Sequence, residues 1–588
     1  MSRVTDALSR RIFYIPAVVY LVLFALIPLV LSIYISAPSS NFSSYIQLFQ
    51  YTDFSTIVFN TLFFALGTAV SAVLVGAAFA VLVDSRRRAK RAISLVAYLP
   101  YMIPFTASAL IWATLFNPGY GPIDPILKAV GLPAIDWLGT STLLGVPMQL
   151  YSLTMVSVWA AMPLAFLIIL AGLTSVPKQV KEAASVDGME MWDYYSSVAL
   201  PLAKGAIITA FLMTLILAFG DFDLPYILSG AGGVPPIGMA TLVVYAYAEM
   251  FYVNLTSQGL AAAIFVALLA SIPGLLLVRT TLGGSKEGKG RLRLPTVHLP
   301  SLPHLPNAPF KYLVYIICTL FSVFILFPIY WMILVAFRPQ SLDYLLPPVI
   351  YPTKIITDVF LSTVSQASPE IITTLAVAGA VTLLTIALAA PAAYTIARDR
   401  RRFLLGVMIF LFSLPSIVFV YGAFSMIVQL HLINSWVALI LTEPLFTIPF
   451  VVWTMTNFYN SLPKQYEEAA LVDGYSRLRS FFSIVMPLAR PGLIAAGMVA
   501  FIFSWHLLLF PLVLGESAYN FSFPPIGSNT VTTFAILFDP DSTGGTIGNN
   551  VWTQLASSGI ILAIPVIILA LIAESYLLKG LYSGGTKG

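Results

Sequence analysis

Two stretches of the chain repeat one another: SVPKQVKEAASVDG at residues 175–188 and SLPKQYEEAALVDG at residues 461–474. Ten of the 14 positions are identical, and the offset between the two copies is 286 residues. The same offset of 286 persists farther on, where Val198-Ala199-Leu200-Pro201 aligns with Ile484-Val485-Met486-Pro487. Agreement over this length without a gap indicates that the chain contains two homologous halves.

Each copy has the composition of a short polar helix. A proline opens it (Pro177, Pro463), which suits a first helical turn, and a glycine (Gly188, Gly474) interrupts it and permits a bend. Its alanines allow a partner surface to approach closely, and its carboxylates accept hydrogen bonds from that partner. These residues are Glu182, Ala183, Ala184 and Asp187 in the first copy and Glu468, Ala469, Ala470 and Asp473 in the second. Duplication in register favours a docking element over an amphipathic helix that only caps the bundle.

The composition around these copies is that of a membrane protein. Of 588 residues 59% are apolar and 9% are charged, and the mean hydropathy of +0.91 excludes a soluble protein. The net charge of +5 comes from short Lys and Arg clusters between apolar runs, which set membrane topology and do not form a nucleic-acid surface. The single cysteine, Cys318, can form no intrachain disulfide.

Apolar runs of about 20 residues are long enough to cross a bilayer as helices. Six such runs lie in the first half, at about residues 12–36, 56–83, 92–116, 149–172, 205–228 and 258–280. Six more lie in the second half, at about residues 312–337, 372–397, 403–427, 435–458, 491–514 and 552–577. The sequence therefore predicts an all-α polytopic membrane protein of about 12 spans, in two parallel six-helix halves.

The placement of Lys and Arg predicts the orientation. With the N-terminus in the cytoplasm, all but three of the 30 Lys and Arg residues, Lys128, Arg338 and Lys354, lie on the inner side. We expect both termini to be cytoplasmic and the first apolar run to be a retained span, since no small-residue cleavage site follows it. The predicted domains are residues 1–281 and 311–588, joined by a basic, Pro-rich cytoplasmic linker at 282–310.

Five residues in the spans are candidates for the path of a solute. Ionisable groups at membrane depth cost about 2.5 to 3.5 kcal/mol on insertion scales, so their presence calls for a reason. Carboxylates would accept hydrogen bonds from a polyol, and aromatic rings would stack on its apolar faces. The alternative is that these residues are hydrated and structural at the outer interface. The candidates are Asp221, Asp223, Glu443, Trp505 and His506.

Other motifs carry little functional information. The sequence has no catalytic signature and no cluster with metal-ligand spacing. A near match to a phosphate-binding loop at residues 283–289 has Gly290 where Ser or Thr must bind magnesium, so we interpret it as part of the linker. Three Asn-x-Ser/Thr triplets, at Asn41, Asn254 and Asn520, all fall in loops predicted to lie outside, where glycosylation is a hypothesis.

The repeated stretches resemble the signature of permeases of ABC importers, E-A-A-x3-G-x9-I-x-L-P. The first copy fits from Glu182 to Pro201 with Val198 in place of Ile, and the second fits from Glu468 to Pro487 with Met486 in place of Leu. The resemblance implies that residues 175–201 and 461–487 are coupling segments that dock two ATP-binding subunits on the cytoplasmic face. It also implies an extracellular solute-binding protein, no enzymatic activity in this chain, and ATP and magnesium bound only by partner subunits.

Flanking sequences resemble the carbohydrate-uptake, maltose-type branch of that family. They are residues 170–177 (LAGLTSVP), 219–230 (FGDFDLPYILSG) and 327–332 (FPIYWM). The resemblance implies a sugar or oligosaccharide as the solute and, since the branch usually has two separate permease chains, a fusion of both in one chain. A fused permease for ferric ion, thiamine or a polyamine remains an alternative. An ion-coupled secondary transporter is a second alternative, but it offers no reason for two E-A-A segments.

Overall fold

The computed structural model describes residues 12–37, 42–85, 94, 96–119, 121–230, 234–283, 307–342, 345, 348–515 and 551–583. The first-half helices are α1 (Ile15–Ser36), α2 (Ser43–Gln50), α3 (Phe54–Asp84), α4 (Val96–Met102), α5 (Phe105–Leu115), α6 (Ile123–Ala129), α7 (Met148–Thr174), α8 (Lys178–Val186), α9 (Met191–Leu202), α10 (Lys204–Gly220), α11 (Asp223–Leu228), α12 (Leu242–Phe251) and α13 (Thr256–Gly283). The second-half helices are α14 (Asn307–Ala336), α15 (Asp358–Asp399), α16 (Arg402–Ser413), α17 (Ile417–Gln429), α18 (Trp436–Ser461), α19 (Gln465–Val472), α20 (Arg477–Leu488), α21 (Arg490–His506), α22 (Leu509–Leu514) and α23 (Val551–Ser583).

The helices confirm an all-α membrane protein. Among the described residues, eight helices are long and apolar enough to cross a membrane, and four bent helix pairs raise the number to 12 if each pair is one span. The pairs are α4–α5, α9–α10, α16–α17 and α20–α21, bent by 106°, 69°, 91° and 79°. For α4–α5 and α16–α17 the sequence predicted unbroken spans, at 92–116 and 403–427, but Pro104 and Pro415 fall between the helices of these pairs and disfavour helical backbone at the residue before them. The predicted spans 205–228 and 491–514 begin after the bends of α9–α10 and α20–α21.

The two halves share their local structure across the repeat. Helix α10 lies 286 residues before α21, and the same offset relates α11 to α22. A π-helical turn precedes a proline in both halves, at Tyr195–Ala199 before Pro201 and at Phe481–Val485 before Pro487. The offset found in the sequence is therefore also an offset between equivalent helices.

The first span of each half packs against the other half. Helix α1 contacts α17, and the fit is so close that a Cβ on Gly422 would lie 2.1 Å from the carbonyl oxygen of Pro28. Helix α14 packs against the first half, where Trp159 Nε1 donates to the carbonyl of Ile325 at 3.2 Å and Trp331 Nε1 donates to Thr114 Oγ1 at 3.2 Å. The halves thus form one interlocked bundle.

Several elements extend beyond the predicted spans. Helix α15 begins at Asp358, well before the predicted residue 372, and its 42 residues measure about 63 Å, about twice the hydrocarbon thickness. The short buried helix α12 was not predicted from the sequence. Between α5 and α7 the first half carries α6 and an antiparallel hairpin, β1 (Thr142–Leu143) and β2 (Val146–Pro147). Of the predicted linker, residues 282–283 and 307–310 are helical, and residues 284–306 lie outside the described residues.

Candidate functional site

A cavity of about 190 Å³ lies where the two halves meet. Spans from both halves form its wall: α4, α5, α7 and the α10–α11 segment from the first half, and α16, α18 and α21 from the second. The wall mixes aromatic rings with hydroxyl, carboxyl and imidazole groups. Its lining includes Tyr101, Phe105, Ser157, Asp221, Asp223, Phe412, Glu443, Phe446, Thr447, Phe503, Ser504 and His506.

The first half contributes two carboxylates at the break between α10 and α11. Helix α10 ends at Gly220, and the chain turns through Asp221 and Phe222 before α11 begins at Asp223. Asp221 Oδ1 accepts a hydrogen bond from the backbone N–H of Leu224 at 3.3 Å, which stabilises the first turn of α11. Asp223 is buried and also lines the cavity.

The second half contributes a carboxylate and an imidazole. Glu443 is buried beside Pro444 in α18 and accepts a hydrogen bond from Ser504 Oγ of α21. His506 ends α21, with its ring centroid 5.5 Å from that of Phe105. Its Nε2 is buried and has no hydrogen-bond partner among the described residues. An unsatisfied buried donor or acceptor on a cavity wall is available to a solute.

Trp505, the fifth candidate, is not part of the cavity wall. Its indole Nε1 donates to the carbonyl of Leu562 in α23 at 3.0 Å, and its ring stacks on Phe501 at 5.7 Å. Because successive helical residues point about 100° apart, Trp505 faces the packing interface while His506 faces the cavity. Trp505 thus holds α21 against α23.

Sequence reasoning missed the aromatic and hydroxyl groups of the wall. The repeat offset carried a signal for one of them, since Ser157 of α7 is the position equivalent to Glu443. The rings of Tyr101 and Phe105 had no such signal, because the break between α4 and α5 that brings them to the cavity is not visible as a gap in hydropathy.

The two repeated stretches form equivalent exposed helices, α8 and α19, which we call the repeat helices. Their exposed side chains include Glu182, Ala183 and Asp187 in α8 and its end, and Glu468, Ala469 and Asp473 in α19 and its end. The second alanine of each pair, Ala184 and Ala470, is buried against the rest of the chain, so only the first alanine of each pair faces outward.

The most exposed apolar side chains of the repeat helices were not predicted from the sequence. Val186 and Val472 occupy equivalent positions and are each 87% exposed. The glycines that follow, Gly188 and Gly474, have φ of 72° and 86°, a left-handed conformation that ends both helices in the same way. The sequence did contain a signal for Val186 and Val472, because valine occupies the same position in both copies of the repeat.

The structure describes one of the three possible glycosylation sites. Asn254 is exposed between α12 and α13, with a φ of 61°. Asn41 and Asn520 lie outside the described residues. Glycosylation at these sites stays a prediction.

Comparison with known proteins defines the class. The sequence profile of the family described as binding-protein-dependent transport system inner membrane component matches this chain twice, at residues 72–279 and 385–580. The chain belongs to this family of multi-pass membrane transport components and contains its characteristic unit in both halves.

Individual relatives each match about one half of the chain. The trehalose/maltose transport system permease protein MalF of Thermococcus litoralis is 30% identical over 218 residues, which are 37% of this chain and 69% of MalF. MalG of the same organism is 29% identical over 272 residues, 45% of this chain and 92% of MalG. The glucose import system permease protein GlcT of Saccharolobus solfataricus is 33% identical over 240 residues, 40% of this chain and 78% of GlcT.

A solved structure is also similar to part of this chain. It is a bacterial ABC transporter involved in the import of the acidic polysaccharide alginate, whose matching chain is 17% identical. The match covers 47% of this chain and 99% of that chain, with a TM-score of 0.39.

Proposed function

We propose that this chain is the transmembrane subunit of an ATP-driven importer for a sugar or oligosaccharide. The observation that carries the proposal is the cavity between the halves, where carboxyl groups and aromatic rings line one space. Carboxylate oxygens accept hydrogen bonds from sugar hydroxyls, and rings such as Tyr101 and Phe105 pack on the apolar faces of a sugar. The named relatives, which transport trehalose, maltose or glucose, support the same solute class.

The repeat helices are the proposed docking sites for two ATP-binding subunits. Each offers an exposed carboxylate at the same position, Glu182 or Glu468, and an almost fully exposed valine, Val186 or Val472. When a partner buries an apolar side chain that is exposed in the free chain, the complex is stabilised. Two equivalent helices in one chain predict two subunits, which would bind and hydrolyse ATP with magnesium.

The proposed orientation places both repeat helices and both termini in the cytoplasm. The distribution of Lys and Arg supports it, since topology signals concentrate these residues on the inner side. The opposite ends of the spans then face the solute-binding protein on which this family of transport systems depends. In this arrangement residues 1–281 and 311–588 are the two permease domains.

Uptake by proteoliposomes tests the solute class. The chain is reconstituted with its ATP-binding subunits and solute-binding protein, and radiolabelled trehalose, maltose, glucose, ferric ion, thiamine and spermidine are offered in parallel. We expect ATP-dependent accumulation of at least one sugar and of none of the other three solutes. Accumulation of ferric ion, thiamine or spermidine without any sugar would contradict the proposal, and uptake driven by an ion gradient without ATP would favour a secondary transporter.

A further inference from the structure

In each half an ion pair joins the repeat helix to the end of the second span, and its polarity is opposite in the two halves. In the first half the acid, Asp84, is the last residue of α3 and the base, Lys181, is on α8. In the second half the base, Arg398, is near the end of α15 and the acid, Glu467, is on α19. Lys181 and Glu467 are 286 residues apart and therefore occupy equivalent positions of the repeat.

The second-half pair is buried, and both oxygens of its carboxylate are bonded. Each of its side chains is 8% exposed, and Arg398 Nε lies 2.9 Å from Glu467 Oε2. Tyr394 donates its hydroxyl proton to the other carboxylate oxygen, Oε1, and Arg398 Nη1 donates to the carbonyl of Tyr459 in α18 at 3.0 Å. The guanidinium and the phenol, both on α15, therefore hold Glu467 of α19 directly through charge-assisted hydrogen bonds. The guanidinium also bonds α15 to α18, so α19 is linked to α18 through Arg398.

The first-half pair is open to water at its lysine, whereas the side chain of Asp84 is 15% exposed. Lys181 is 50% exposed, and its Nζ lies 3.6 Å from Asp84 Oδ2. The same oxygen accepts a hydrogen bond at 2.8 Å from Tyr195, a residue that follows α8 in the chain. A solvated lysine at this distance exchanges readily between the carboxylate and water, and salt screens the pair.

We propose that Arg398 and Glu467 are positioning residues that make α19 move together with α15 and α18, whereas α8 is attached to α3 only loosely. The importer would then transmit the closure of its ATP-binding subunits to the cavity mainly through the second half. This inference rests on the proposed function only for its consequence. The bonds of Glu467 to Arg398 and Tyr394, which we call the clamp, are a property of this chain alone.

Spin-label distances in the full chain test the clamp without any partner. In a Cys318→Ser background, labels on Val472→Cys and Leu383→Cys report the attachment of α19 to the exposed face of α15. Labels on Val186→Cys and Leu74→Cys report the matching attachment of α8 to α3. These four side chains are 87%, 74%, 87% and 66% exposed, so the labels do not disturb the core.

We expect a narrower distance distribution for the 383–472 pair than for the 74–186 pair. Arg398→Met should broaden the 383–472 distribution at least twofold, and Lys181→Met should leave the 74–186 distribution within its original width. Equal widths in the two unmodified halves, or no broadening with Arg398→Met, would overturn the inference. If the Arg398→Met chain does not accumulate, Tyr394→Phe and its matched control Tyr195→Phe answer the same question, because each removes one hydroxyl donor and keeps the ring.

The second measurement separates the clamp from the proposed function. With ATP-binding subunits added, labels at positions 74 and 383 should change distance on addition of ATP and vanadate, and Arg398→Met should abolish most of that change while ATP hydrolysis continues. If Arg398→Met broadens the 383–472 distribution but the unmodified chain shows no response to ATP, the proposed function is contradicted and the clamp is supported. A full ATP response in Arg398→Met would overturn the transmission through the second half.

Discussion

At the scale of single residues, the cavity wall brings together ionisable groups from both halves. Asp221 and Asp223 line the cavity at the break after α10, and Glu443 and His506 line it from α18 and α21. The two halves are not equivalent here, because Gly220 occupies the position that corresponds to His506. A solute in the cavity would meet carboxylates on one side and a carboxylate with an imidazole on the other.

We predict that Glu443→Gln and Asp221→Asn each weaken the binding of the transported sugar. A hydrogen bond contributes about 1 kcal/mol net, so loss of one acceptor oxygen raises the half-saturating sugar concentration by about fivefold. The measurement is the concentration dependence of uptake by proteoliposomes.

Trp505→Phe is the matched control, since the ring of Trp505 lies outside the cavity wall. It should lower the amount of folded protein through loss of the bond to Leu562 and leave the half-saturating concentration within twofold. An affinity lowered by Trp505→Phe and unaffected by both carboxylate variants would assign the solute path to a different surface.

The sequence predicted four of these cavity residues because a charged group within an apolar run is conspicuous. It could not distinguish His506 from Trp505, since both are neighbouring aromatic side chains with a polar ring nitrogen. Only the packing of α21 against α23 shows which of the two faces the cavity. It also could not find Tyr101 or Phe105, because an aromatic side chain in a membrane span is ordinary in composition.

At the scale of elements, the repeat helices are the part of the structure that the sequence predicted best. Their opening prolines and the exposure of Glu182 and Glu468 agree with the repeated pattern, whereas Gly188 and Gly474 end the helices instead of interrupting them. The helix breaks were predicted worst: a hydropathy run of 20 residues does not show where Pro104 or Pro415 interrupts the backbone. Helix α12 was missed because its ten residues are too few to cross a membrane.

Charge reversal tests the repeat helices. We expect Glu182→Lys combined with Glu468→Lys to reduce solute uptake at least tenfold, because lysines at these exposed positions would repel the groups that bind the native carboxylates. The yield of folded chain should stay the same, since surface substitutions usually change stability by less than about 0.5 kcal/mol.

The comparison variant carries Glu182→Gln and Glu468→Gln, which keep the size and the acceptor oxygen and remove only the charge. Its uptake should lie between those of the parent and the double lysine variant. Uptake and subunit binding at the parent level in the double lysine variant would refute docking through these carboxylates.

At the scale of the whole molecule, two units of one family are interlocked in a single chain. Each first span packs on the opposite half, through Gly422 against Pro28 on one side and Trp331 with Thr114 on the other. The sequence predicted the two halves and their parallel relation, since the repeat keeps its offset. It could not predict the exchange of first spans, because hydropathy contains no information on which helices become neighbours.

The central claim is that both repeat helices dock ATP-binding subunits at one face of the membrane. Single cysteines at Val186, Val472 or Leu144 in a Cys318→Ser background test it by cross-linking to the ATP-binding subunits. Leu144 is the control, because it is 91% exposed but lies at the opposite end of α7, whose 27 residues span about 40 Å. We predict cross-links from positions 186 and 472 and none from position 144. Cross-links from position 144, or from neither repeat helix, would contradict the account.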